Sequence, residues 1–131
     1  MPVNYKAIAK KLKFEGRAFI NGKYVNAIDG KKFETINPAT GEKLCAVAKC
    51  NHKDVDLAVK VSRKAFNSGV WSRSSPEYRK EVLLKFAELL RNHGDENSVL
   101  ECVDTGKLVA DCINEVANDA PMHFQWYGEL I

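Results

Sequence analysis

The hydrophobic pattern of this 131-residue chain changes near residue 51, and this change constrains the fold more than any other feature. Before residue 51, short apolar segments alternate with turn signals, which is typical of antiparallel strands. Beyond it, apolar residues recur at helical spacing over long segments. We therefore predict an α+β chain, in which short antiparallel strands precede a mainly helical layer.

Two strand pairs are predicted from their turns. Asn21-Gly22 favours a type I′ hairpin turn, because both residues tolerate positive backbone angles. A second turn is expected at residues 28–31, and Asn37–Gly41 interrupts the next pair. The predicted strands are 18–20, 23–25, 33–36 and 44–48.

The helices are predicted from apolar periodicity and capping residues. Asn51 begins the first, with Asp54 in a capping-box arrangement, and Ser68-Gly69 ends it. Ser75 caps the second, and Pro76 suits its first position. We further expect that Gly94 ends the second helix, that helices cover 95–103 and 109–117, and that Asp119 caps a last helix with Pro121 in its first turn. In this scheme one domain divides into a terminal helix or arm (1–16), strands (17–50) and helices (51–131).

The amino-terminal region carries most of the net charge of +3. Its basic residues are Lys6, Lys10, Lys11, Lys13 and Arg17. They fit an RNA- or lipid-binding arm, or the solvated face of a short helix whose apolar side is Tyr5, Ile8 and Leu12. The second interpretation is favoured, because no aromatic residues are interleaved with the lysines.

The cysteines fit a reducing compartment. No segment resembles a signal peptide or a membrane span, so Cys45, Cys50, Cys102 and Cys112 are expected to be free thiols in a cytoplasmic protein. Cys45-x4-Cys50-x-His52 is an alternative zinc motif, but structural zinc needs a second ligand pair at similar spacing. Cys102 and Cys112 lie ten residues apart and are predicted on different helices, so buried single thiols are favoured.

No phosphate-binding loop is predicted. The chain lacks a Gly-x-Gly-x-x-Gly motif, and Gly16 is one residue too far from Gly22-Lys23 for a P-loop. None of the histidines, His52, His93 and His123, has a Ser or Cys at a spacing that indicates a nucleophile–base pair.

Several motifs, in order along the chain, resemble the aldehyde dehydrogenase superfamily. The longest runs from Phe33 to Glu42 and includes Asn37-Pro38-Ala39-Thr40-Gly41. The others are Phe19-Ile20-Asn21-Gly22, Asp54-Val55-Asp56-x-Ala58-Val59, Trp71-Ser72, Ser75-Pro76-x-x-Arg79, the Leu83–Leu90 helix, Asp104-Thr105-Gly106-Lys107 and Trp126-Tyr127. The resemblance covers the chain from about residue 17 onward and is nearest to γ-glutamyl-γ-aminobutyraldehyde and betaine aldehyde dehydrogenases.

The resemblance implies a function for a longer protein. Members of the family oxidise an aldehyde to a carboxylic acid with NAD or NADP, through a covalent adduct of a cysteine thiolate. Their catalytic asparagine, glutamate and cysteine, and the Rossmann sheet, lie further along than the segment matched here. No cysteine of this chain lies in a motif like that of the nucleophile, and no residue is expected to bind the cofactor. The apolar end at Trp126–Ile131 also lacks a helix stop signal, so we expect an amino-terminal fragment of a dehydrogenase, inactive alone.

One site of the family does map onto this segment. Several members hold a structural monovalent cation, and by resemblance its ligands here are Thr35, Ile36 and Asp104, with K+ or Na+ as the ion. Hard cations prefer such oxygen ligands. The alternative is that Asp104 only caps or turns the chain, and the family's remaining ligand lies outside the matched residues.

The expected partners follow from the same resemblance. The helices should expose apolar surface, so we expect self-association and contact with the rest of a dehydrogenase subunit, without nucleic acid or membrane. Two alternatives remain open: a stand-alone helical interaction module, and a small basic RNA-binding domain whose binding would depend on salt.

Overall fold

A computed structural model describes residues 2–131 of the chain. The strands are β1 (Ala18–Ile20), β2 (Lys23–Val25), β3 (Lys32–Ile36) and β4 (Lys43–Ala48). The helices are α1 (Tyr5–Ala9), α2 (His52–Ser68), α3 (Pro76–Asn92), α4 (Gly94–Thr105), α5 (Val109–Cys112), a π-helix (Ile113–Asp119) and α6 (Ala120–Glu129). Antiparallel strand pairs and a larger helical part confirm the α+β prediction.

The described residues form two compact units. The strand unit consists of residues 14–36 and 42–74, and the helical unit consists of residues 2–13, 37–41 and 75–131. The strand unit contains both strand pairs and α2, and the helical unit contains the other helices.

The turns of the strand unit form where the sequence predicts them. Asn21 and Gly22 have φ angles of 55° and 76° and join β1 to β2, as a type I′ turn requires. The N–H of Gly30 donates to the carbonyl of Ala27 at 2.8 Å and closes the second turn. β3 pairs antiparallel with β4, and a β-bulge lies between Thr35 and Ile36.

The start of α2 is held by the predicted capping box. The side chain of Asn51 accepts from the N–H of Lys53 at 2.8 Å, and Asp54 Oδ2 accepts from the N–H of Asn51 at 2.8 Å. Asp54 is only 2 % exposed, and its Oδ1 also accepts from the N–H of Ile28 at 2.8 Å. One carboxylate therefore joins the helix start to the turn before β3.

The buried residues of the helical unit lie on several helices and include Ala87 of α3, Val99 of α4 and Cys112 of α5. Nearer the surface, Phe86 and Phe124 join α3 to α6 by packing edge to face, with ring centroids 4.6 Å apart. A Cβ built on Gly128 would lie 3.3 Å from Leu83 Cβ, so a glycine permits this close approach of the two helices.

The junction of α3 and α4 differs from the prediction. Gly94 does not end α3; it is the first residue of α4, after His93 at the end of α3. A Cβ on Gly94 would lie 2.8 Å from Ala117 Cβ. A glycine is therefore needed here because the neighbouring π-helix packs closely against it, and not because the backbone adopts a positive φ angle. The predicted third helix, 95–103, is accordingly longer, from Gly94 to Thr105.

The predicted break at Asp119 was also wrong. Asp119 has helical angles and makes no side-chain cap, and helical structure runs without interruption from Val109 to Glu129. The π-helix ends at Asp119, two residues before Pro121, which lacks an N–H and whose ring clashes with an ordinary preceding helical turn. Pro121 lies in the first turn of α6, as predicted. A wider turn accommodates the proline without ending the helix.

Large apolar side chains remain exposed on several helices. Trp126 and Tyr127 of α6 and Leu130 directly after it are 62 %, 63 % and 64 % exposed. The apolar side chains of Val55 and Phe66 on α2 are also exposed. Within residues 2–131, no helix combines the length and apolar character that a membrane span requires.

The amino-terminal helix is shorter than predicted. α1 ends at Ala9, so Leu12 lies beyond it, although Tyr5, Ile8 and Leu12 are all half-buried. Asn4 caps this helix by accepting from the N–H of Ala7 at 3.0 Å.

Candidate functional site

The three predicted cation ligands lie on two elements. Thr35 and Ile36 are consecutive in β3 of the strand unit, where they pair with Cys45 and Lys43. The β-bulge falls between these two residues, and a bulge disrupts the regular ladder of backbone hydrogen bonds. Asp104 is exposed in the last turn of α4, in the helical unit.

Asp104 is helical rather than part of the turn. α4 continues to Thr105, whose Oγ1 donates to the carbonyl of Glu101 at 2.7 Å. Gly106, with φ 78°, then closes the helix as its N–H donates to the carbonyl of Cys102 at 2.9 Å. Asp104 therefore lies in the last helical turn, and the helix ends one residue later, at Thr105.

Two of the recognised motifs meet inside the helical unit. A Cβ on Gly106 would lie 2.8 Å from Pro38 Cγ, so Gly106 is needed both for its positive φ angle and for this contact. The Asn37 turn is fixed by its own side chain, whose Oδ1 accepts from the N–H of Ala39 at 2.9 Å. The sequence shows both motifs, but only the structure shows that they are one packing arrangement.

Lys107 links the end of α4 to the π-helix. Its Nζ lies 2.6 Å from Glu115 Oε2 and 3.5 Å from Glu101 Oε1. The hydrogen bond that Lys107 donates to Glu115, together with a weaker one to Glu101, raises the pKa of Lys107. No sequence pattern indicates this pairing, because it depends on a helical segment whose geometry was not predicted. An ammonium held by two carboxylates is suited to fixing a turn rather than to proton transfer.

The four cysteines are free thiols in different surroundings. Cys112 is completely buried, and burial raises the pKa of its thiol. Cys45 and Cys102 are half-buried, whereas Cys50 is exposed, so the prediction of buried thiols was wrong for Cys50. Cys102 and Cys112 lie on α4 and α5, as predicted.

A cleft of the helical unit was not predicted. It has a volume of about 780 Å³ and lies beside the α3–α4 junction, with Lys11, Arg91, His93, Asp95 and Glu96 among its lining residues. His93 Nδ1 lies 3.8 Å from Glu96 Oε2, and both side chains are largely exposed. Its lining comes from three separated segments, which sequence spacing alone does not join. The cleft is open, its lining carries charges of both signs, and no Ser, Thr or Cys is among its lining residues.

Metal and dinucleotide chemistry find little support in the described residues. Within 2–131, no group of three or more His, Cys, Asp or Glu side chains is placed to hold a metal ion. The strands of this part of the chain form antiparallel pairs, whereas a dinucleotide site needs a parallel strand, a glycine-rich turn and a helix. The residues present therefore do not fit NAD or NADP on their own.

Comparison with known proteins shows what the chain is similar to. The model of the aldehyde dehydrogenase family matches residues 24–131. The aminoacetaldehyde dehydrogenase of Pseudomonas aeruginosa is 42 % identical over 127 residues, which are 97 % of this chain and 26 % of that enzyme.

One segment of the solved structures of such enzymes has the same fold as this chain. Indole-3-acetaldehyde dehydrogenase AldA of P. syringae, a mutant in complex with NAD+ and IAA, has a TM-score of 0.92 and 39 % identity, over 97 % of this chain and 26 % of that one. Gamma-glutamyl-gamma-aminobutyraldehyde dehydrogenase from Burkholderia cenocepacia has a TM-score of 0.91 and 40 % identity, over 95 % of this chain and 25 % of that one. The chain thus spans about a quarter of the length of these relatives and matches an amino-terminal segment of them.

Proposed function

This chain belongs to the aldehyde dehydrogenase family, and from that premise we propose that residues 1–131 are a supporting part of one cofactor-binding domain that contributes no reacting group. In this proposal the whole enzyme oxidises an aldehyde to a carboxylic acid with NAD or NADP. The observation that carries the proposal is the agreement of nearly the whole chain with about a quarter of an NAD+-bound relative, at a TM-score of 0.92.

The side chains of the segment support a structural role. The buried polar groups Asp54 and Ser98 bond to backbone atoms, Asp54 to two N–H groups and Ser98 to the carbonyl of Cys112. The raised pKa of Cys112 disfavours its thiolate, the form in which a cysteine attacks a carbonyl carbon. These residues stabilise the segment and leave the chemistry to other parts of an enzyme.

A chimera tests the proposal. Residues 1–131 would replace the matching quarter of the P. aeruginosa aminoacetaldehyde dehydrogenase, and NAD reduction would be followed with aminoacetaldehyde. We expect an active chimera, because the segment supplies the scaffold and the remainder supplies the reacting groups. A folded chimera without activity, alongside an active parent enzyme, would refute the proposal.

The exposed apolar faces of the helices are suited to two kinds of partner, the remainder of a dehydrogenase subunit and a second copy of this chain. In an enzyme they would lie against the remainder of the subunit, and in the isolated chain they would drive self-association. We expect concentration-dependent association of the isolated chain in sedimentation, reduced by Trp126→Lys combined with Leu130→Lys. Asn114→Lys, at an exposed polar position, is the matched control. A monomer at all concentrations would contradict the self-association.

The cation site stays a proposal supported by the family resemblance and by the bulge at Thr35 and Ile36. In the chimera, K+ or Na+ should raise the Tm, and Asp104→Asn should remove that increase while Asp111→Asn retains it. An equal cation effect in both variants would exclude Asp104 as a ligand. A cytoplasmic location is also proposed, supported by the four free thiols.

A further inference from the structure

Helix α2 exposes a row of apolar side chains along one face. Val55, Val59 and Phe66 are 57 %, 60 % and 61 % exposed. Spacings of four and seven residues place the three on the same face, and Ser62 lies between Val59 and Phe66. Single exposed apolar side chains are ordinary, but a continuous row of them on a helix is typical of a surface that binds a partner. Within residues 2–131, this row is uncovered.

A different face attaches α2 to the rest of the strand unit. Asp54 is buried, and Ala58 and Val61, which follow it at helical spacing, are half-buried. These residues mark the side of α2 that packs against its own unit. The apolar row lies beside that side, so it is a second surface of the helix that can bind another element.

A groove along the apolar row offers room for a second helix. It has a volume of about 400 Å³ and is lined by Ala58, Val59, Ser62, Arg63 and Phe66. The guanidinium group of Arg63 lies over the ring of Phe66, 5.7 Å from its centroid. Ala58 and Ser62 are small and lie one turn apart, which lets another helix approach closely at the middle of the row.

The charged residues at the edge of the row make α2 complementary to itself. Asp56 and Arg63 lie two turns apart on the same flank of the helix, and within residues 2–131 neither forms an ion pair. When two copies of a helix pack antiparallel about a two-fold axis, each flank meets the same flank of the other copy. Asp56 of each copy is then close to Arg63 of the other. Lys60 lies about 100° around the helix from Val59 and so stays outside the contact.

The apolar row fits the same two-fold arrangement. An axis between residues 60 and 61 places Val55 opposite Phe66 of the second copy, and Val59 opposite Ser62. The large ring of Phe66 then packs against a smaller side chain at both ends of the contact. The small Ser62 lies near the axis, where the helices are closest. Shape and charge therefore indicate the same partner in the same orientation.

We propose that α2 binds a second copy of this chain, through an antiparallel two-fold contact of its apolar row that is flanked by two ion pairs between Asp56 and Arg63. The inference rests on the self-association proposed above and gives it a defined surface, separate from the end of α6. A single pair of helices buries less area than a standard protein–protein interface, so the dimer is weak and reversible. The unfolding of the dilute chain accordingly reports on the monomer.

Charge reversal tests this contact. Sedimentation equilibrium would be measured on the full chain carrying Trp126→Lys and Leu130→Lys, which suppress association through the end of α6. We expect this chain to dimerise, and Asp56→Arg or Arg63→Asp alone to weaken the dimer about tenfold, because like charges then meet twice. Asp56→Arg combined with Arg63→Asp should restore the dimer, since both ion pairs are formed again with reversed signs.

Lys64→Asp is the matched control. It changes the net charge as much as Arg63→Asp does, but Lys64 lies on the opposite side of α2 from the apolar row, so the dimer should be unchanged. Val59→Lys should abolish the dimer while circular dichroism shows the helix content retained.

Three results would overturn the inference. The first is a monomer at all concentrations in the Trp126→Lys, Leu130→Lys chain, which would leave association through α6 as the sole explanation for any self-association of the native chain. The second is equal weakening by Lys64→Asp and Arg63→Asp. The third is a failure of the combined charge reversal to restore the dimer. None of these results bears on the chimera, whose activity tests the proposed dehydrogenase role separately.

Discussion

At the scale of single residues, Asp54 shows how one buried carboxylate joins two parts of the strand unit. We predict that Asp54→Ala destabilises the chain by about 3 kcal/mol, because two backbone N–H groups lose their acceptor. Urea unfolding followed by circular dichroism would measure the change. Asp56→Ala, at an exposed position of the same helix, should stay within about 0.5 kcal/mol. Equal effects of the two substitutions would show that the capping contacts are not what stabilises this region.

A pH dependence is predicted for Glu15. Hydrogen bonds from the side chain and the N–H of Arg17 lower the pKa of Glu15 from 4.5 to about 2. Because the pKa is lower in the folded state, the stabilisation is present above pH 4.5 and is lost as the pH falls towards 2. The advantage of the native chain over Glu15→Gln should therefore shrink over that range. A carboxyl titration by NMR with a midpoint near 4.5 would contradict this pairing.

At the scale of elements, local signals predicted the strands and most helix starts. The Asn21-Gly22 turn and the Ser75-Pro76 cap each depend on a few adjacent residues, so the sequence alone was sufficient. Gly94 and Asp119 were misinterpreted, because Gly94 contacts the distant residue Ala117 and the helical structure continues through Asp119. The cleft and the Lys107 pairing were missed for the same reason.

The α3–α4 junction gives an element-level prediction. Gly94→Ala should destabilise the chain by about 1–2 kcal/mol, because the added methyl group must displace Ala117 and the π-helix. Asn92→Ala, exposed at the end of α3, is the control and should change stability by less than about 0.5 kcal/mol. Chemical denaturation measures both variants. A neutral or stabilising Gly94→Ala would mean that the two helices separate without cost.

At the scale of the whole molecule, the sequence was sufficient to identify the family but not to establish the cation site. The order of motifs from Phe19 to Trp126 carried the identification, and the fold agrees with it. The ligand set of Thr35, Ile36 and Asp104 stays a prediction, because backbone carbonyl ligands leave no signature in residue type.

The central claim is that these 131 residues support dehydrogenase chemistry without performing it. The most direct measurement is NADH or NADPH formation by the purified chain with aldehydes and either cofactor, beside an intact relative under the same conditions. We predict no turnover above the protein-free rate. Saturable reduction of either cofactor by the isolated chain, dependent on aldehyde and abolished by substitution of one of its own cysteines, would contradict the account.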